Sequence, residues 1–236
     1  MMSSISASWT TMNMLDWARG PLLYAALTIF VVGVAWRFFA LSRLPTTLVV
    51  APPRRAFSQA DALRAALRRM WPRKGMWASA TLVTLNPYVF HIGLVLVFLG
   101  YAPHIAFVRH LIGLGWPALP DGVMYIAAAA TIVSLLIALM FRLTDPVLKK
   151  ISRADDMVTW LVTMLPLVTG MAVLSVPSSS IVADKTALYS GPLAIHLLSL
   201  ELLLVWFPFG KLMHAFLFLP GRMQLATFLG RRGVQP

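Results

Sequence analysis

Five long apolar stretches limit the fold of this chain more than any other feature of the sequence. They cover about residues 21–41, 88–108, 122–140, 157–176 and 191–219. A helix needs about 20 mostly apolar residues to cross the hydrocarbon core of a bilayer, and each stretch is long enough. Because backbone polar groups in lipid must bond within the protein, we predict an all-α integral membrane bundle of five transmembrane helices, folded as one domain over residues 1–236.

The composition excludes the soluble alternatives. Of the 236 residues, 59% are hydrophobic and only 12% are charged, whereas soluble domains carry about 25% charged residues. Disordered chains need the opposite balance, with low hydrophobicity and high charge. The sequence also has no cysteine, so this chain alone cannot hold a disulfide, an iron–sulfur cluster or a covalently attached c-type haem.

The positive charges predict an orientation. Fifteen Lys and Arg residues lie in the loop 42–87, in the loop between the third and fourth stretches and in the C-terminal tail, against three in the other connecting segments. Cytoplasmic loops retain Lys and Arg, so we predict a multi-pass protein of a bacterial inner membrane with its N-terminus outside and its C-terminus cytoplasmic. We therefore attribute the net charge of +12 mainly to the topology and secondarily to a docking surface for an acidic partner. We expect no nucleic-acid partner.

The loop 42–87 contains one amphipathic segment, at about residues 58–71. Leu63, Leu67 and Met70 recur at helical spacing, with Arg64 and Arg68 on another face, which is the pattern of a surface helix. Such a helix either lies in the membrane interface or packs beneath a soluble subunit.

Four of the five histidines fall within two of the apolar stretches. His91 and His104 are in the second, and His196 and His214 are in the fifth. Ionisable residues inside a span are costly and indicate function by default. The two spans are antiparallel in the predicted topology, so His91 meets His214 near the cytoplasmic side and His104 meets His196 near the outside. Two facing imidazoles at each of two depths are what two b-type haems require.

The histidine spacings support the two sites unequally. His196 and His214 are 18 residues apart, which is five helical turns and about 27 Å along one face of a continuous helix. The 13-residue spacing in the second span rotates its histidines by about 140°, although Pro103 can kink the helix there. His110 competes with His104 for the outer role. The alternative for any one of these residues is a hydrogen-bonded packing histidine.

Two motifs resemble a known family. NPYVFHIGLVLVFLG (86–100) and FPFGKLMHAFLFLPGRM (207–223) are similar to the second and fifth spans of the respiratory nitrate reductase gamma subunit family, which includes cytochrome b subunits of sulfite-reduction-associated and heterodisulfide-reductase-like complexes. The resemblance covers about residues 21–223 and implies that His91 and His214 ligate an inner haem and His196 an outer one. The family's outer histidine directly follows the glycine, where this chain has Tyr101, so either His104 takes that role or the outer haem is altered or missing.

The resemblance also implies a function. Quinol would be oxidised near the outer haem, and electrons would pass through two haem b groups to separate iron–sulfur and catalytic subunits on the cytoplasmic face. Tyr101, His104 and Arg109 are the candidates for contact with the quinone. Two alternatives remain, a structural anchor with one haem or none, and a small transporter whose histidines and Glu201 relay protons. Glu201 is otherwise a packing acid, hydrogen-bonded to a neighbouring span.

Overall fold

The computed structural model describes residues 13–44, 52–70, 81–173 and 190–234, and these form helices and connecting turns without any strand. A 3₁₀ turn at Lys211–Met213 precedes the last helix. The ten described α-helices are α1 (Met14–Arg19), α2 (Pro21–Ser42), α3 (Gln59–Arg68), α4 (Thr81–Gly100), α5 (Ala102–Ile112), α6 (Asp121–Thr144), α7 (Pro146–Ile151), α8 (Ala154–Val173), α9 (Ser190–Trp206) and α10 (His214–Arg231).

Four segments are long and apolar enough to cross a membrane. They are Met14–Ser42, Leu82–Gly100, Asp121–Thr144 and Ala154–Val173. A fifth span results if Gly191–Trp206 and Lys211–Arg231, which meet at a bend of 77°, are counted together. The prediction of a helical membrane bundle is therefore confirmed, with four to five spans.

The spans pack in a chain of neighbours. α4 packs on α6, α6 on α8, α8 on α9, and α9 on α1 and α2. Between α4 and α6 the Asn86 Nδ2 donates to the Ser134 carbonyl at 3.0 Å, and the Ser134 Oγ donates to the Asn86 Oδ1 at 2.8 Å. A Cβ atom on Gly93 would collide with the Thr131 hydroxyl. Small residues and interhelical hydrogen bonds thus fix this contact, as is usual where lipid removes the hydrophobic driving force between helices.

The fifth predicted span, 191–219, is not one continuous helix. α9 ends at Trp206 and the chain turns by 77° before α10 begins at His214. Pro208 has no N–H to donate and disfavours a helical conformation in the residue before it; its ring is buried and would lie 2.6 Å from a Cβ atom on Gly33 of α2. His196 and His214 therefore do not share one face of a straight helix, and that prediction is wrong.

The second predicted span, 88–108, is also divided. α4 ends at Gly100, Tyr101 is extended (φ −82°, ψ 127°), and α5 starts at Ala102. Pro103 lies in the first turn of α5, where a missing N–H costs nothing, so the break comes before the proline instead of at it. The last carbonyls of α4 are satisfied by the following loop, because Leu119 N donates to Gly100 O at 2.9 Å and Trp116 Nε1 to Leu99 O at 2.5 Å.

The amphipathic segment of the first loop is a helix, α3, which packs against α10. Ser58 caps it by accepting from the Asp61 N–H at 3.1 Å, and Asp61 bonds back to the Ser58 N–H. Ala62 and Ala65 are buried against Ala226 of α10. The predicted ends at residue 71 and at residues 174–176 lie outside the described residues.

Candidate functional site

The rings of His91 and His214 face each other between α4 and the start of α10. Their centres are 6.0 Å apart and their planes are perpendicular, at 90°. His91 lies near the middle of α4, and His214 is the first residue of α10. Both side chains are exposed, which leaves the sides of the gap between the rings open. We call these two residues the inner pair.

The rings of His104 and His196 face each other between α5 and α9. Their centres are 6.3 Å apart and their planes are nearly parallel, at 14°. His104 is on α5, after the break that follows Gly100, and His196 is on α9. The break removes the 140° rotation expected of a continuous second span. We call these two residues the outer pair; His110 is not part of it and lies exposed on α5.

All four histidines use the same ring nitrogen for a hydrogen bond to the protein. The Nδ1 atoms of His91 and His214 bond to the carbonyls of Pro87 (2.6 Å) and Lys211 (2.8 Å). That of His104 bonds to the Val97 carbonyl at 3.1 Å. That of His196 bonds to the Thr169 Oγ1 at 3.2 Å. Metal-ligating histidines are almost always held in this way through the nitrogen that does not bind the metal, so Nε2 is the atom left to bind a metal in each case.

The separations within the pairs fit one metal ion between two imidazoles. An imidazole nitrogen binds zinc, a comparable first-row metal, at about 2.0–2.1 Å and lies about 1.2 Å from its ring centre, so two collinear imidazoles on one ion have centres about 6.4 Å apart. Within the described residues no group of three or more His, Cys, Asp or Glu side chains could hold a metal. Two ligands suffice only where other ligands come from a cofactor, as in a bis-imidazole haem.

The two other quinone candidates occupy different positions. Tyr101 precedes α5, its ring centre is 5.2 Å from that of His104, and its hydroxyl is buried with no hydrogen-bond partner among the described residues. Arg109, with His110, lines an open cleft of about 800 Å³ between α5 and the loop 113–120. It is about 140° round the helix from His104, so the structure places Tyr101, and not Arg109, beside the outer pair.

Glu201 is buried on α9 with only 6% of its surface exposed. Its Oε1 atom makes no hydrogen bond within the described part of the chain. Glu201 lies on α9, the helix that packs on α8, α1 and α2. The bond to a neighbouring span expected of a packing acid is not seen at Oε1, and the proton-acceptor interpretation stays a prediction.

Sequence reasoning missed an ion-pair cluster at the bend. Asp156 of α8 is buried and bonds Arg142 of α6 at 2.9 Å as well as the ammonium of Lys211. The Trp206 Nε1 donates to the Thr159 Oγ1 at 3.0 Å on the same side of the bend. The signal that could have found the cluster is the helix start with two adjacent carboxylates, at residues 155–156, which follows the basic segment after the third span.

Comparison with known proteins gives one informative relative. A protein of Nitratidesulfovibrio vulgaris, whose name states no function, is 31% identical over 213 residues, which are 87% of this chain and 89% of that protein. The chain belongs to the same family as that protein. No family model matches the sequence, and no solved structure matches it. The likeness to nitrate reductase gamma subunits therefore rests on the sequence motifs alone.

Proposed function

We propose that this protein is a membrane-anchoring b-type cytochrome subunit, which takes electrons from quinol and delivers them to a soluble partner. The observation that carries the proposal is the pairing of four histidines from four different helices. Their ring centres are 6.0 and 6.3 Å apart, and every Nδ1 atom already has a partner. Histidines that serve only in packing would not be expected to form two pairs with nearly equal ring-centre distances and with Nε2 unbonded to the described residues in every ring.

The inner pair and the outer pair would each hold one haem b through Nε2. When bound, haem exchanges one electron at a time, at a potential set by its axial ligands, their hydrogen bonds and the surrounding burial. The helices fix the two pairs at two depths, and the Nδ1 bonds fix the rings. Because the inner pair is exposed and the outer pair is half-buried, we expect two different potentials.

We place quinol oxidation at the outer end of the bundle. The buried Tyr101 hydroxyl lies beside the outer pair without a described partner, and an unpaired buried hydroxyl is costly. A quinol hydroxyl bonded to it would satisfy the group and hold the quinol ring close to His104. Arg109 in the adjacent cleft is the second candidate, positioned to bind a quinol oxygen nearer the membrane surface.

The electrons must leave through another protein, because a chain without cysteine cannot ligate an iron–sulfur cluster with thiolates. We propose that iron–sulfur and catalytic subunits dock at the end formed by α3 and α10. Arg64, Arg68 and Arg222 are among its basic residues. The distribution of Lys and Arg supports placing this end on the cytoplasmic side of a bacterial inner membrane.

A difference spectrum of the purified protein, reduced by dithionite minus oxidised, tests the proposal. We expect b-type absorption and two haems per chain. His91→Ala and His214→Ala should each remove the same haem, and His104→Ala and His196→Ala should each remove the other. His110→Ala is the matched control and should keep both.

The possible failures are distinct. A purified, folded protein without b-type absorption would reject the cytochrome assignment and favour a structural anchor. Loss of the second haem in His110→Ala, with its retention in His104→Ala, would reject the outer pair only.

A further inference from the structure

The two histidine pairs differ in what holds their rings. In the inner pair, each Nδ1 bonds to a carbonyl three or four residues earlier in its own chain segment. In the outer pair, each Nδ1 bonds to a different helix. The partner of His104 is a backbone carbonyl of α4, whereas the partner of His196 is the Thr169 side chain of α8. Thr169 is thus the one side chain among these four partners.

The Thr169 hydroxyl is well placed to fix a ring. Its Oγ1 donates to the Leu165 carbonyl at 2.7 Å, which leaves its lone pairs free to accept the Nδ1–H of His196. It also lies 3.0 Å from the hydroxyl of Ser199, a buried residue one turn after His196 whose Oγ donates to the His196 carbonyl at 2.7 Å. Because both hydroxyl hydrogens are used in bonds to carbonyls, the Thr169 hydroxyl is held by its bond to Leu165 of α8 and by the Nδ1–H of His196 on α9, and Ser199 only packs against it.

The neighbouring glycine lets the ring approach. A Cβ atom on Gly170 would lie 3.1 Å from the Cε1 and 3.4 Å from the Nδ1 of His196. The imidazole therefore lies against the backbone of α8, between Gly170 and the Thr169 hydroxyl. The Pro166 carbonyl also faces the ring, and it would be the acceptor left if the hydroxyl were removed.

We propose that Thr169 is a positioning residue, which sets the ring plane of His196 and keeps it parallel to that of His104. The inference rests on the proposed function, because it assigns Thr169 a role toward the haem that the outer pair would hold. Hydrogen bonds to a ligand's second nitrogen fix its orientation and raise its basicity, and their removal typically lowers metal affinity by about 10–100-fold.

The ring planes give this inference a spectroscopic signature. Parallel axial imidazoles on ferric haem give a rhombic low-spin electron paramagnetic resonance spectrum, whereas perpendicular ones give a highly anisotropic one. The angles of 14° and 90° thus predict one signal of each kind. Without the hydroxyl, the His196 ring turns toward the Pro166 carbonyl, so the rhombic signal alone should change.

The test compares Thr169→Val, which removes the hydroxyl at nearly constant volume, with Thr169→Ser, which keeps it. Thr163→Val is the matched control, because Thr163 lies on the same helix and donates to the carbonyl of Thr159 at 2.7 Å, and it has no hydrogen bond to a histidine among the described residues. In Thr169→Val we expect the rhombic signal to shift and one haem to bind about 10-fold more weakly. Thr169→Ser and Thr163→Val should resemble the wild type.

Each other outcome overturns a specific statement. An unchanged spectrum and haem affinity in Thr169→Val, or an equal change in Thr163→Val, would show that Thr169 does not position the ring. If Thr169→Val does not reach the membrane, Thr169→Ala is measured in the same way. A wild-type protein without haem would instead reject the proposed function, and this is seen before any variant is made.

Discussion

The break after Gly100 and the bend after Trp206 each separate two histidines of one segment, but different interactions secure them. α4 carries His91 before its break, and α5 carries His104 after it; α9 carries His196 before the bend, and α10 carries His214 after it. Each pair combines one histidine from before one break with one from after the other. Each site therefore takes one histidine from each of the two broken segments, and neither segment holds a complete pair.

The breaks differ in what secures them. The break after Gly100 is closed by bonds from the loop 113–120 to the carbonyls of Gly100 and Leu99. The bend after Trp206 has local backbone bonds from Phe209 N and Gly210 N to Trp206 O, but its bonds to the neighbouring helices come from side chains, chiefly from Asp156 to Arg142 and Lys211. The bond from Leu119 N does not depend on a side chain, whereas both ion pairs at the bend are lost when the single carboxylate of Asp156 is removed. The bend should therefore be the more sensitive of the two.

Loss of the buried carboxylate should have the largest effect. Asp156→Asn leaves Arg142 and Lys211 without their anion, and breaking a buried ion pair costs about 3–5 kcal/mol. We expect about 3 kcal/mol, the lower end of that range, because 51% of the Lys211 side chain and 35% of the Arg142 side chain are exposed. Thermal unfolding in detergent measures it. The haem proposed for the inner pair should be the first to be lost, since the Lys211 carbonyl holds His214.

Asp155→Asn is the control for that experiment. Asp155 is the preceding residue and makes no ion pair among the described residues, so its variant should keep near wild-type stability. Equal destabilisation by the two variants would refute the assignment of the bend to Asp156.

A methyl group at Gly210 should be the next most damaging change. A Cβ atom there would collide with the Trp206 indole, a rigid ring whose Nε1 is bonded to Thr159. Overpacking of this kind costs about 1–3 kcal/mol, and we expect about 2 kcal/mol for Gly210→Ala. Unfolding temperature and tryptophan fluorescence would report the change.

The matching substitution at the other break should cost less. In Gly100→Ala the new Cβ would lie 2.8 Å from the Leu119 Cδ1 and 3.0 Å from the Met124 Cε. Both atoms are ends of flexible side chains, so we expect about 1 kcal/mol. If Gly100→Ala proved as costly as Gly210→Ala, the proposed difference between the two breaks would not hold.

The smallest effect should come from the cap of α3, the helix that packs on α10. Ser58→Ala removes the acceptor for the Asp61 N–H and should cost about 0.5 kcal/mol. Hydrogen bonds from Ser58 lower the pKa of Asp61 from its ordinary value of 3.8. This contribution is complete above that value and is lost as the pH falls through the lower pKa of the folded state. Acid titration of stability should thus be shallower in Ser58→Ala, and an unchanged titration would show that the cap is not used.

The sequence alone predicts which segments are helical but not where they break. Apolar length identifies the spans, since it is a property of the local chain. The bend at Trp206 has a local signal in Pro208 and Gly210, but the same residue types at Pro87 and Gly93 lie inside the unbroken α4. Packing against Gly33 and the ion pairs of Asp156 decide the difference, and both require the neighbouring helices.

The candidate site is likewise only partly predictable from the sequence. The pairing by depth of His91 with His214 and of His104 with His196 follows from antiparallel spans and residue numbers. The role proposed for Thr169 does not, because its contact with His196 joins residues 27 positions apart on two helices. Thr163 has the same residue type, helix and backbone bond, so no local pattern separates the two.

Because each pair takes one histidine from each broken segment, the order of synthesis limits when the pairs can form. Of the four paired histidines, the N-terminal part of the chain up to α8 carries His91 and His104, one partner from each pair. The outer pair cannot close until α9 has been synthesised and inserted, and the inner pair cannot close until α10 has followed it. Cofactor capture would therefore come at the end of membrane insertion and would mark the chains that have completed it.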